Sequence, residues 1–225
     1  MSRSNPHEHA PNPAKRWFEW NGEKGTVRYY DRDAKQNVDA GSDFRFVLLD
    51  ELSCVRGWHD ASQSGITSNE VRDTTKEPLV VKAFKHGILA EGLYREIKDR
   101  VNAAGGDYHA ACYIAFAHGD EIVIGSIRFR GAALNAWVEF KKVHRAELCK
   151  NAVAINGYVE GKNGRVTFRV PKLSIVPLTN EENNIAVALD SELQVWLKGY
   201  FARNTREQVE QASVAEPLTD NDIPF

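Results

Sequence analysis

Lys15-Arg16-Trp17-Phe18-Glu19-Trp20 sets three aromatic rings beside two cations. The pairing recurs in Arg28-Tyr29-Tyr30, Lys82-Ala83-Phe84-Lys85 and Arg128-Phe129-Arg130. Rings offer flat surfaces on which bases stack for roughly 1–3 kcal/mol each, while neighbouring cations neutralise phosphates. Every base has a π-face, so the chemistry implied is sequence-tolerant binding of single-stranded DNA. Strand alternation places some of these groups together. Along 79–85, Leu79, Val81 and Ala83 share one face, and Val80, Lys82 and Phe84 share the other. From Arg165 onward, Val166, Phe168 and Val170 alternate with Arg165, Thr167 and Arg169. The candidate DNA contacts are Lys15, Arg16, Trp17, Trp20, Arg28, Tyr30, Trp58, Lys82, Phe84, Lys85, Arg128, Arg165 and Arg169.

Each ring has a competing use, because aromatic residues also favour strands and fill cores. Trp17, Trp20 and Trp58 sit among charges, which favours contact with DNA. Trp137 and Trp196 fall on apolar stripes and are expected in the core.

Enzyme signatures are sparse. The chain has no phosphate-binding Gly-rich loop ending in Gly-Lys-Ser/Thr, no Gly-x-Ser-x-Gly elbow and no His-Glu-x-x-His. Glu139-Phe140-Lys141, with Asp120 and Glu121 upstream, has the residue types of a metal-dependent nuclease and forms the alternative, enzymatic reading. His59-Asp60 near Cys54 resembles a nucleophile pair, but no third residue supports it. The three cysteines are widely spaced and the seven His do not cluster, so neither a disulfide framework nor a zinc site is expected. No cofactor is expected either. No apolar run approaches the roughly 20 residues that span a bilayer, and the N-terminus lacks a secretory apolar stretch. Widely spaced, reduced thiols make a cytoplasm the expected compartment.

The elements that must position these residues are mainly β with α. Strands are expected at 15–20, 24–30, 44–58, 66–71, 79–85, 108–117 and 121–130, with 31–43 as a polar loop. Leu89, Leu93, Ile97 and Val101 fall four apart and predict a helix that stops at Gly105-Gly106. Residues 132–142 fit either a helix, through Leu134, Trp137, Val138 and Lys141, or an alternating strand, and the helix is preferred. A β-hairpin spans 152–176 around Asn163-Gly164. Thr179 and Glu182 form a capping box that opens a final helix, striped by Ile185, Leu189, Leu193, Trp196, Leu197 and Tyr200. The run of three strands, helix and two strands, with the helix between its third and fourth strands, is the element order of an OB-fold. The expected architecture is an OB-fold-like barrel over 15–202, with the added hairpin and C-terminal helix as extensions. Residues 1–14 and 203–225 are expected to be disordered.

The chain ends Asp220-Asn221-Asp222-Ile223-Pro224-Phe225. Residues 207–225 hold five carboxylates and no Lys or Arg, leaving the remainder at +3 within a net charge of −2. A mildly basic body with an acidic tail suits a phosphate binder. Phe225 presents its ring and terminal carboxylate together, Pro224 pre-orders the backbone, and Asp220 and Asp222 suit a basic rim. This tip resembles that of bacterial and phage single-stranded DNA-binding proteins. The segments ITSNEVRDT, LAEGLYREIKDRV and RGAALNAWVEF resemble stretches of phage members, over most of 17–178. The resemblance implies an OB-fold that coats single strands and a tip (Asp220, Asp222, Ile223, Pro224 and Phe225) that recruits replication, recombination and repair enzymes of host or phage. Asn221 departs from the usual all-acidic run. The second hairpin and long final helix are extra to the minimal bacterial version, which leaves the oligomeric state open, a homo-oligomer included. A third reading is an adaptor that mimics the tail without touching DNA.

Overall fold

The computed structural model describes residues 10–31 and 33–215, with side chains through Asn204. The strands are β1 (Trp17–Asn21), β2 (Thr26–Asp31), β3 (Gln36–Gly41), β4 (Asp43–His59), β5 (Ser64–Ser68), β6 (Leu79–Ala83), β7 (Gly87–Gly92), β8 (Gly106–His118), β9 (Glu121–Phe129), β10 (Asn151–Asn163) and β11 (Val166–Pro177). The helices are α1 (Tyr94–Ala103), α2 (Gly131–His144) and α3 (Asn180–Ala215). One sheet runs β3-β2-β1-β9-β8-β4-β5-β6-β7, and the β10–β11 hairpin branches from the first half of β4. All pairs are antiparallel except β1 with β9. The fold is thus mainly β with α, as the sequence implied.

The barrel expectation changes. β3 and β7 end the strand path without meeting, so the sheet is open. Two local differences account for these edges. Gln36–Gly41 forms a strand where a loop was expected; an edge strand beside β2 needs no apolar face to bury. Ile88 and Ala90 pair with Lys82 and Val81 of β6, with Leu89 at a bulge between them, so the first turn of the expected helix is strand and α1 begins at Tyr94. Cross-strand pairing overrides the four-residue spacing of Leu89 and Leu93.

Other local signals hold. Asn21 Oδ1 accepts the N–H groups of Glu23 and Lys24, closing the β1–β2 turn. Gly105, at φ +91°, ends α1. Thr179 N–H donates to Glu182 Oε2 at 2.8 Å, and Glu182 N–H donates to Thr179 Oγ1 at 3.2 Å, completing the capping box. Arg45 joins it, and these donors hold the Glu182 carboxyl down at about 2.

One face of the sheet is covered twice. Phe18, Trp20, Phe46, Cys112, Ile127 and Phe129 pack under α2 and the β10–β11 hairpin. Val55, Ile66, Val81 and Ala90 pack under α1, through Ile97 and Val101. On the opposite face, Leu52, Tyr113 and Ile124 lie under Leu193 and Leu197 of α3. Ala14 joins that cluster. The stretch 10–14, read from composition as disordered, lies against the body here. Asn12 Nδ2 donates to Tyr113 OH at 3.0 Å, and Trp196 Nε1 donates to the Ala10 carbonyl at 3.0 Å.

Candidate nucleic-acid interface

α3 covers the middle of its face; beyond it Cys54, Ala111 and His109 are still buried, and exposure returns at Arg28, Trp58 and Lys82. Register fixes what stands there. Arg28 pairs with Glu19, Glu19 with Arg128, and Arg128 with Ala111, so Arg28 and Arg128 project on the α3 side. His109 pairs with Cys54, two residues from Ala111 on that same side. Arg56 pairs with Thr67 and Thr67 with Lys82, while Trp58 pairs with Gly65. Six inter-strand steps separate β2 from β6, a span of about 29 Å. The cations therefore cross the sheet as an oblique band, since the row of Arg28 and Arg128 meets β4 at Leu52, four residues before Arg56.

The end of β4 is held tightly. A Cβ at Gly57 would collide with the Gly105 carbonyl oxygen. Glycine lets β4 and the α1–β8 turn approach, and Trp58 N–H donates to that same carbonyl at 3.2 Å. Arg56 and Trp58 flank this contact and so are rigidly presented on the open side.

Electrostatics along the band favour anions. Arg56 reaches Thr67 Oγ1 and lies 3.9 Å from the buried Glu70. Arg128 and Lys82 have no carboxylate partner among the described residues. Arg28 is paired with Glu19 at 2.6 Å and Arg130 with Asp107 at 2.8 Å, both at half-exposed positions where such pairs contribute little and exchange readily. The Nε atoms of Arg56 and Arg128 and Nδ1 of His109 are buried with no hydrogen-bond partner.

His109 is 7% exposed. Burial first, then Arg128, Arg130 and Arg56, lower its pKa to about 4 from the ordinary 6.5, opposed by Asp107. A folded-state pKa below the unfolded one favours the neutral fold, so this contribution is full above pH 6.5 and declines as pH falls towards 4. Lowering the pH from 7.5 to 5 should cost about 2 kcal/mol through this group. Urea midpoints should show that loss in the wild type and a visibly smaller one in His109→Gln.

Of the thirteen residues singled out by sequence, Arg28, Trp58, Lys82 and Arg128 stand on the open band, and Phe84 immediately follows β6 at its rim. Trp58 is 52% exposed and Phe84 84%. Tyr30 is two residues from Arg28 on the same face and exposed. Trp17 shares that face but packs against the α3 cluster. Lys15, Arg16, Trp17 and Tyr30 line a recess of about 250 Å³ with Tyr29, Asp31 and Asp33. Arg16 is drawn to the other face, its guanidinium 4.0 Å above the Tyr29 ring. Lys85 is exposed in the turn after β6, and Arg165 at the hairpin tip.

Trp20 is a correction. It is 8% exposed, packs in the core under α2, and donates its indole N–H to the Arg169 carbonyl at 2.8 Å. Residues of even number on β1 face inward, which its charged neighbours hid. Arg169 is committed as well: it stacks 5.1 Å over Tyr158, pairs with Glu160 at 3.3 Å and donates to the Glu23 carbonyl. Trp137 and Trp196 are in the core or packed on it, as expected.

A cleft of about 690 Å³ continues from the band around the sheet's end. Arg28, Arg130, Phe168 and Arg169 line it, with the first residues of α2. Arg130 supplies no side-chain cap to α2, so the helix's positive end opens into the cleft. Sequence reasoning missed Arg56, His109 and Gly65. Strand alternation with Trp58 was the available signal for Arg56; only cross-strand register reveals the other two.

The nuclease constellation does not assemble. Lys141 Nζ binds Glu51 at 2.5 and 2.7 Å, and Glu139 pairs with Lys142 at 2.6 Å, while Asp120 and Glu121 lie in and beside the β8–β9 turn. Among the described residues, no three His, Cys, Asp or Glu side chains group to hold a metal, and no helix is long and apolar enough to cross a membrane. The tip residues Asp220, Asp222, Ile223, Pro224 and Phe225 lie outside the described residues. Comparison of the chain with protein-family models, curated proteins and solved structures finds no match to any of them.

Proposed function

We propose that this chain binds single-stranded DNA without reading its sequence, using the open face of the sheet, and that its C-terminal tip recruits replication, recombination and repair proteins. The observation that carries the reading is the band itself. Arg128 on β9 and Lys82 on β6, without carboxylate partners among the described residues, share this face with the exposed rings of Trp58 on β4 and Phe84 just after β6. Such a surface neutralises a sugar-phosphate chain and stacks its bases. A span of about 29 Å accommodates roughly four or five nucleotides, at the lower end of the range for small β-domains. An open sheet serves this purpose as well as a closed barrel, because the strand lies across a face. Recruitment by Asp220–Phe225 rests on the resemblance of that tip and on its chemistry, a ring and carboxylate preceded by two acids.

Fluorescence anisotropy with labelled oligo-dT tests the reading. Binding should weaken as salt rises, with log K falling by about 0.7 per phosphate neutralised. Removing Asp220–Phe225 should leave that affinity intact or higher and abolish recruitment of partner enzymes. Absence of binding even in dilute buffer would refute the DNA-binding function.

A further inference from the structure

Trp58 on β4 and Gly65 on β5 stand side by side, and Phe84, the first residue of the turn after β6, lies next to them. Trp58 pairs with Gly65 across β4 and β5. Phe84 comes one step after the Ile66–Ala83 pair, and its N–H donates to the Gly65 carbonyl at 3.2 Å. From β4 through β5 to that turn, the order therefore reads aromatic, glycine, aromatic. Neighbouring strands lie about 4.8 Å apart, which sets the two aromatic anchors about 10 Å apart with a residue lacking a side chain between them. A Cβ built on Gly65 meets no atom within 4 Å, so the space above it is open. Neither flanking ring is withdrawn into the fold, with Trp58 at 52% and Phe84 at 84% exposure.

We propose that Trp58 and Phe84 clamp one unpaired base over Gly65, making this slot the element that distinguishes single strands from duplex. The proposal rests on the nucleic-acid reading above and assigns a specific role within it. Stacked bases are spaced about 3.4 Å apart. A base between two rings needs ring planes about 7 Å apart, which a slight inward lean supplies from anchors 10 Å apart. The occupant is a base because of the adjacent row: Arg56, Thr67 and Lys82 lie two residues away along their strands, about 7 Å. That distance places cations beside the backbone of a nucleotide whose base is in the slot. A base within a duplex already has neighbours on both faces and cannot enter.

Gly65 makes the test clean. It has no positive φ and no neighbour to displace, so Gly65→Leu fills the slot without straining the strand. Anisotropy with oligo-dT should show roughly ten- to a hundredfold weaker binding for Gly65→Leu and for Phe84→Ala, with thermal melts unchanged. Binding-induced tryptophan quenching should drop sharply in Trp58→Phe. The wild type should bind a blunt hairpin duplex far more weakly than oligo-dT, and Gly65→Leu should narrow that ratio. Should Gly65→Leu melt early, Phe84→Ala, at an exposed turn position, carries the test alone. Wild-type binding of oligo-dT that survives both substitutions unchanged overturns the slot and leaves the general reading standing. Failure of the wild type to bind any oligonucleotide overturns both.

Discussion

Replacing Arg128 and Lys82 together by Glu is expected to weaken binding of oligo-dT at least a hundredfold near physiological salt, read well below a thermal melt that the new carboxylate opposite Glu19 lowers. Both cations project from the open face, on β9 and β6, and neither has a carboxylate partner among the described residues. Neither substitution therefore strands an acid in the fold. Each lost phosphate contact removes about 0.7 from the salt slope for a single strand, so the slope should fall by about 1.4. The reversed charges then repel the backbone they formerly held, which takes the loss beyond that of neutral substitution. A matched control is needed because two reversals shift net charge by four. Lys142 and Lys150, at the end of α2 and beyond it, belong to the side of the sheet that α2 covers. Their joint conversion to Glu changes total charge equally and should weaken binding only several-fold. Equal losses in both pairs would mean that overall charge, and not this face, attracts the strand.

The sequence revealed local elements better than it revealed the sheet. Thr179 with Glu182, Asn163-Gly164 and Gly105 each acted through the few residues around them, so their signals survived folding. β3 and β7 depend on partners supplied from elsewhere in the chain, and their own residues carry weak or misleading periodicity. The site divides in the same way. Lys82 and Phe84 were placed together from alternation along one strand. That Arg128, His109, Arg56 and Trp58 occupy the same face as those two is a property of β9, β8 and β4 lying side by side. Cross-strand register can be written down only once the pairing is known. Trp20 illustrates the reverse failure. Its charged neighbours marked it as exposed, yet alternation from Phe18 and its indole bond to Arg169 place it inward.

Trp137→Ala is expected to be the most damaging single change to the fold, lowering the melting temperature by roughly 10 °C or more. Trp137 is fully buried, stacked on Phe129 at 5.2 Å and Phe140 at 6.0 Å, with Phe46 at 6.3 Å. Truncation leaves a cavity among these rings, a loss of about 3–5 kcal/mol. That is a large part of the 5–15 kcal/mol by which a domain is stable. The indole N–H also donates to Glu51 Oε2 at 2.9 Å, beside the two bonds from Lys141. Trp137→Phe separates the two contributions: it keeps most of the packing, removes the donor and should cost about 1–2 kcal/mol. Glu51→Leu combined with Trp137→Phe should be less destabilising than the sum of the single changes, because a carboxylate that is absent cannot lose its partner. Lys141, freed in that double variant, has a side chain 29% exposed and can turn its ammonium to water. Since α2 covers the inward side of β9 at Phe129, this packing fixes the backbone that carries Arg128 on the other side. Below its lowered melting temperature, Trp137→Phe should bind oligo-dT like the wild type, so that stability and binding, which share a strand, are measured separately.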